Sequence, residues 1–267
     1  MKKRLFAVLM MLVMLVAAIA ITAQAATVPE NVEWIELGSK EDFLNWFGGA
    51  TKGKNLTENY TAGMTRYYKL TADITIDQDS TVYYLSAGNN EVNTYFDLNG
   101  KTLTYSSPKD SATRFFGTYN ANTTHTFVNG TIINNSKING NGAMFIVNQG
   151  KMIMEDVDIY DNAVDMPFKY AGKVFSAVGA GNDLTLTNVN VTSGSTNANN
   201  YGLIIRGENN VVTLTNCNFT STSTAAGRTA YGGIVYQSGG TLNIDGCTFT
   251  NGYGKYGGNL YASRLYL

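Results

Sequence analysis

The sequence predicts an all-β fold: a right-handed, single-stranded parallel β-helix, a solenoid of roughly 30 residues per layer with a short N-terminal helical cap. Three observations predict it. A bend residue recurs at that period, the strand phase breaks at every bend, and one helical pattern stands ahead of the first repeat.

The bend positions are Gly100, Gly130, Asp156, Asn188, Asn216 and Gly246. Only Gly, Asn and Asp occur there, the residues that tolerate a left-handed backbone. Two places before the bends stand Leu98, Val128, Met154, Leu186, Leu214 and Ile244; three places after them stand Leu103, Ile133, Ile159, Val191, Phe219 and Phe249. All twelve are apolar. Strand side chains alternate faces with period two, so a flat strand cannot bury positions −2 and +3 together with −4 and +1. A strand that turns a corner through a left-handed residue can. Gly142, Gly172, Gly202 and Gly232 mark a second landmark at the same period, each followed by a short apolar run. Each layer therefore holds about three short strands and no helix-length period. Wound in one direction, these stack at about 4.8 Å per layer, and crossovers between parallel strands are right-handed.

The N-terminus reads Met1-Lys2-Lys3-Arg4, an apolar run from Leu5 to Ile21, then the small-x-small triplet Ala23-Gln24-Ala25. This is the pattern of a secretory signal peptide over 1–25, and no membrane span is expected once it is removed. Its removal takes the formal net charge from −1 to −4, because Lys2, Lys3 and Arg4 leave with it. No basic stripe remains to neutralise phosphates, so nucleic acid is not an expected partner.

Residues 27–66 differ from the repeats and form a cap segment. Ser39-Lys40-Glu41-Asp42 has the form of a helix N-cap with an acid in the first turn. Phe43, Leu44, Trp46 and Phe47 make an apolar stripe, and Gly48-Gly49 stops the helix. An open solenoid end must be covered, and Trp34 to Phe47 is placed there. The β-helix is expected over 67–267. Asn259-Leu260-Tyr261 looks like the start of a strand, and the chain reaches Leu267 within a layer, as a truncated frame would.

Few residues carry candidate chemistry. Cys217 and Cys247 occupy equivalent inward places in consecutive layers, where a ladder of two thiols is expected, with an inter-layer disulfide as the alternative. His125 is the only histidine; it stands in a strand-like Thr123-Thr124-His125-Thr126 and is expected to be structural. There is neither a Gly-x-Ser-x-Gly elbow nor a phosphate loop. The densest acids are Asp156, Asp158 and Asp161, a weak calcium candidate, since Asp156 and Asp158 align with Asn188 and Asn190 in an outward polar ladder. Tyr201 and Tyr231 precede landmark glycines, and Tyr256 repeats the pairing. With Arg206 nearby, they are the candidate for an external strip that meets sugar rings. No catalytic residue is assigned, and no cofactor beyond a possible calcium.

Leu98-Asn99-Gly100-Lys101-Thr102-Leu103 resembles the early layers of secreted bacterial right-handed β-helix proteins of the pectin-lyase-like superfamily. Cys217-Asn218-Phe219 and Cys247-Thr248-Phe249-Thr250-Asn251, followed by Gly257-Gly258, are similar to repeats of polymorphic-membrane-protein-like adhesins. The resemblance covers about Tyr67 to Leu267 and rests on corner and core residues. The superfamily it implies includes polysaccharide lyases, glycoside hydrolases and surface proteins without known activity. Its lyases use an Arg or Lys base beside calcium-binding acids, and its hydrolases use clustered Asp with a His-containing motif; neither set is matched. The expectation is a non-catalytic, adhesin-like protein, secreted or on the bacterial cell surface, that contacts extracellular glycans or a partner surface. The alternative is a polysaccharide lyase or glycoside hydrolase. N-terminal sequencing of the exported protein should begin at Ala26; a chain that keeps Met1 would overturn the leader.

Overall fold

The computed structural model describes residues 28–48, 59–77, 83–86, 91–106, 115–136, 143–162, 173–194, 204–222, 233–254 and 256–267. The expected leader lies outside them, as do Gly142, Gly172, Gly202 and Gly232. The chain divides into Met1–Val32 and Glu33–Leu267. Residues 28–32 of the first unit hold a single turn. The second unit is a parallel β-solenoid of about six turns, about 29 residues each, with one short helix. Among the described residues no helix is long and apolar enough to cross a membrane.

In chain order the strands are β1 (Trp34–Leu37), β2 (Thr65–Leu70), β3 (Ile74–Ile76), β4 (Tyr83–Ser86), β5 (Asn93–Asp97), β6 (Thr102–Tyr105), β7 (Phe116–Asn134), β8 (Phe145–Asp161), β9 (Phe175–Val178) and β10 (Leu184–Thr187). They continue as β11 (Asn190–Ser193), β12 (Ile205–Glu208), β13 (Val211–Thr215), β14 (Asn218–Ser221), β15 (Val235–Ser238), β16 (Thr241–Asp245), β17 (Thr248–Thr250), β18 (Leu260–Ala262) and β19 (Leu265–Tyr266). The pairings are parallel and run from coil to coil, giving three long ladders. The first joins β1, β2, β5, the middle of β7 and of β8, β10, β13, β16 and β19. The second joins β3, β6, the ends of β7 and β8, β11, β14 and β17. The third joins β4, the starts of β7 and β8, β9, β12, β15 and β18.

The corner between the first and second ladders is where the sequence places it, with one correction. Gly100, Asp156, Asn188, Asn216 and Gly246 all have positive φ, between 52° and 69°. In the coil between Gly100 and Asp156, however, the left-handed residue is Asn129 (φ 61°), not Gly130. Val128 pairs with Glu155 and Gly130 with Val157, so Asn129 lies under Asp156. The residues that continue the inward columns are accordingly Phe127 and Ile132. Ile133 is half-buried, and Val128, though buried, shares a column with Asp97 and Glu155; a slip of one position exchanges faces. The cause is the coil before it. Asp97 pairs with Val128 and Thr102 with Thr131, so the stretch from Leu98 to Lys101 faces only Asn129 and Gly130. The surplus is a tight turn, Leu98 to Lys101, closed by the Lys101 N–H donating to the Leu98 carbonyl at 2.8 Å. Both of its central residues, Asn99 and Gly100, are left-handed. Gly130 is glycine for space: a Cβ there would meet Leu98 Cβ at 2.5 Å and the Lys101 carbonyl at 2.7 Å.

Inside, equivalent residues stack into columns. On the first ladder Tyr68, Phe96, Phe127, Met154, Leu186, Leu214 and Ile244 follow one another. On the third, Phe116, Phe145 and Phe175 stack at 6.0 and 5.3 Å between ring centroids before the column turns aliphatic at Ile205 and Val235. These two columns are aromatic in the N-terminal coils and aliphatic later, while Phe219 and Phe249 stack at 5.3 Å on the second ladder.

Helix α1 (Lys40–Phe47) plugs the aromatic end. Ser39 is its N-cap: the Asp42 N–H donates to Ser39 Oγ at 3.1 Å, and Ser39 Oγ–H donates back to Asp42 Oδ2 at 2.9 Å. That hydroxyl, with the Gly38 N–H, holds Asp42 below the usual carboxylate range. Phe43 and Phe47 are fully buried, Phe43 against Tyr83 and Phe116 and Phe47 against Tyr68 and Phe96. Truncating either to Ala leaves a cavity of the kind that costs about 3–5 kcal/mol.

The corner makes a measurable demand. Asn188→Val should be less stable than Asn188→Gly by about 1–2 kcal/mol in urea denaturation, because a branched side chain is strained at positive φ; equal stabilities would mean that the corner does not need its left-handed residue.

Candidate functional site

The sole histidine is a core residue. His125 lies inward on β7, paired with Thr94 below and Met152 above, in a column continued by Leu184 and Val212. Its Nδ1 lies 2.8 Å from Thr94 Oγ1 and its Nε2 3.0 Å from Thr123 Oγ1. Burial drives its pKa down to about 3, so the ring is neutral at pH 7.

The three acids considered for calcium are not brought together. Asp156 and Asp158 point outward and Asp161 inward, as strand alternation around the corner dictates. Asp156 accepts from Asn188 Nδ2 at 3.0 Å, and Asp158 from Asn190 Nδ2 at 2.7 Å. Asn218 Nδ2 in turn donates to Asn190 Oδ1 at 2.7 Å, and Thr248 Oγ–H to Asn218 Oδ1. The expected polar ladder is therefore a continuous hydrogen-bonded chain. Asp161 is buried: Asn134 Nδ2 and Ser193 Oγ donate to it at 2.9 and 2.7 Å, and the buried ammonium of Lys173 lies 2.9 Å away. Among the described residues no three His, Cys, Asp or Glu converge as metal ligands would. Lys173 also donates to the Gly194 carbonyl.

Of the tyrosine strip, Tyr201 and Tyr231 lie outside the described residues. Tyr256 is exposed, beside the left-handed pair Gly257 and Gly258. Arg206 does stand in a column with aromatics on the outer face of the third ladder, between Ser176 and Tyr236, with Tyr261 following Tyr236. Arg206 Nε donates to Glu208 Oε1 at 3.0 Å, and a second guanidinium N–H reaches the same oxygen. The two tyrosines stack at 5.3 Å with their planes 12° apart. Each ring thus covers one face of the other, which suits a structural ladder better than a sugar platform. A search at the common period misses this pair, because the connection between β17 and β18 is short and Tyr261 follows Tyr236 early.

A second outward cluster lies in coils that begin ahead of the first bend position. Trp34, Tyr67 and Tyr95 share one column in β1, β2 and β5 on the first ladder. Alternation turns them outward while Tyr68 and Phe96 go in. Trp34 meets Tyr67 and Tyr95 edge-on at 5.8 and 6.2 Å, and the two tyrosines are tilted by 39° at 5.8 Å. The edge-on contacts leave ring faces uncovered by one another. The next outward column is charged, with Glu36, Lys69 and Asp97 in register. The Lys69 ammonium lies 5.6 Å from the Trp34 ring, within cation–π range. Partial burial, with Asp97 and Glu155 nearby, raises the Tyr95 phenol pKa, so the hydroxyl stays a donor. The cluster is an aromatic patch spanning three coils, edged by both signs of charge.

Comparison with family models, with curated proteins and with solved structures returns no match.

The buried histidine sets a pH dependence with a definite sign. Its folded pKa is depressed below the unfolded value of about 6.5, so between these values the unfolded chain binds the extra proton and stability falls with acidification. Between pH 7 and pH 5 the wild type should lose on the order of 2 kcal/mol that His125→Met, matched to its column neighbour, does not lose. Parallel stability–pH curves for the two proteins would contradict the neutral buried ring.

Proposed function

We propose that this solenoid is a non-catalytic, adhesin-like protein, exported to the bacterial surface or beyond, that contacts extracellular glycans through its outer face. The carrying observation is the Trp34–Tyr67–Tyr95 patch with Lys69, Glu36 and Asp97 alongside. Aromatic faces pack against the C–H faces of sugar rings, and flanking charged groups hydrogen-bond the hydroxyls and fix orientation. The three rings are only part-buried on the outer face, so they retain surface for a ligand. The leader-like N-terminus supports export. The residues best equipped for acid–base work are engaged structurally: both ring nitrogens of His125 face threonine hydroxyls, and Asp161 is held by Asn134, Ser193 and Lys173. Within the superfamily that the repeats resemble, this favours the surface proteins over the lyases and hydrolases.

A glycan array with the wild type and with Trp34→Ala/Tyr67→Ala tests the proposal. The double variant should lose about tenfold or more in affinity for the glycans bound, about 1.4 kcal/mol or more. Identical profiles for the two proteins would remove the patch from the account. Release of unsaturated or reducing sugar ends from a pectin and glycan panel, assayed with calcium, would replace the proposal with the enzymatic alternative.

A further inference from the structure

Cys217 and Cys247 stand one above the other in consecutive coils, just past the left-handed corner. Thr215 pairs with Asp245 and Asn218 with Thr248, which puts the two cysteines in register. Both are free thiols. Each sulfur contacts the carbonyl two residues before it, Cys247 that of Asp245 at 3.3 Å, but the two differ in burial and in their other partners. Cys217 is fully buried, and its sulfur lies 3.4 Å from the Leu186 carbonyl and 3.3 Å from that of Thr215. Cys247 is partly exposed, and β17 beside it is paired on one side among the described residues, with β14. Its sulfur accepts the Cys217 N–H at 3.3 Å. A backbone N–H and a thiol that donate to a sulfur favour its thiolate form. The Cys217 thiol, and after it the Cys217 N–H, lower the Cys247 pKa to about 7, whereas the same thiol contact and burial push Cys217 up.

We propose that Cys247 and Cys217 form a nucleophile and resolver pair, which takes up a low-molecular-weight disulfide at Cys247 and closes it into a covalent clip between consecutive coils. In the first step the Cys247 thiolate attacks one sulfur of the reagent disulfide. A Cys247–reagent disulfide forms, the reagent S–S bond breaks and one reagent thiolate leaves. In the second, the Cys217 thiol gives up its proton and its sulfur attacks the Cys247 sulfur. The inter-coil S–S bond forms, and the second reagent thiolate departs through the exposed side and takes the proton. Two protein thiols are oxidised and one reagent disulfide is reduced to two thiols. Adjacent parallel strands lie about 4.8 Å apart, inside the Cα separation of roughly 4.4–6.8 Å that a disulfide spans. The clip is independent of any glycan and ties the coil of β17 to the coil of β14.

The test uses the full, reduced chain incubated near neutral pH with glutathione disulfide and followed by intact mass and peptide mapping. The wild type should pass through a transient glutathione adduct on Cys247 to a product lighter than the dithiol by two hydrogens, reversed by dithiothreitol. Cys217→Ser should stop at the adduct, and Cys247→Ser should form none. Folded wild type that stays unmodified while urea-unfolded protein reacts, or an adduct that persists without closing, would overturn the proposal. Pulse alkylation of the wild type needs no variant: Cys247 should label about tenfold or more faster than Cys217, and equal rates would refute the assigned roles.

Discussion

A single left-handed residue between two buried strands is the constraint on which the solenoid rests. The strand before it and the strand after it both face the interior, yet side-chain alternation alone would put one set of their core residues in water. One residue at positive φ absorbs the mismatch at this corner. Once it is fixed, the strands on either side stack residue on residue from coil to coil, and their side chains fall into columns. Leu186 can lie over Met154 and under Leu214 only because Asn188 lies over Asp156 and under Asn216.

The columns are not chemically uniform. Near the helix plug the core is a mutually packed set of rings, and further on it becomes mostly aliphatic, with Phe219 and Phe249 as exceptions. One inward column of the second ladder is polar: Tyr105 gives way to Asn134, Asp161, Ser193 and Ser221. This column lies where each coil leaves the second ladder. The buried Lys173–Asp161 pair closes it with a charge on each side, an arrangement that is costly to break from one partner alone. It joins a strand end to Lys173, ahead of β9, and to the carbonyl that follows β11. The polar column thus fixes how successive coils depart from the packed interior.

The fold was legible because its essential residues are backbone-specific. Few residues tolerate the left-handed corner, so Asp156, Asn188, Asn216 and Gly246 announce themselves, and Ser39 and Asp42 announce the helix in the same way. The slip at Gly130 had a physical source. Val128 and Ile133 are apolar and fit the pattern, but they share columns with Asp97 and Glu155, and with Thr104 and Tyr160. The excess at Asn99-Gly100 is visible only through pairing. The outer face was far less legible. Outward columns need only strand-compatible residues, and coils of unequal length shift their spacing. Trp34, Tyr67 and Tyr95 keep roughly the repeat spacing but begin ahead of the first bend residue, so register, not the bend, assembles them. Asp161 is grouped with Asp156 and Asp158 by its place in the acidic run, whereas alternation turns it to the interior.

The chain of amides on the second ladder has a direction. Thr248 donates to Asn218, Asn218 to Asn190 and Asn190 to Asp158, each toward the earlier coil. An amide side chain both gives and receives, so such a chain could run either way; a carboxylate only receives, and a hydroxyl starts it from the other end. Asp158 therefore acts as a terminus that sets the polarity of every amide above it. The surface of the solenoid carries a sense of up and down, written in dipoles rather than in shape, that any partner lying along it would meet in one orientation.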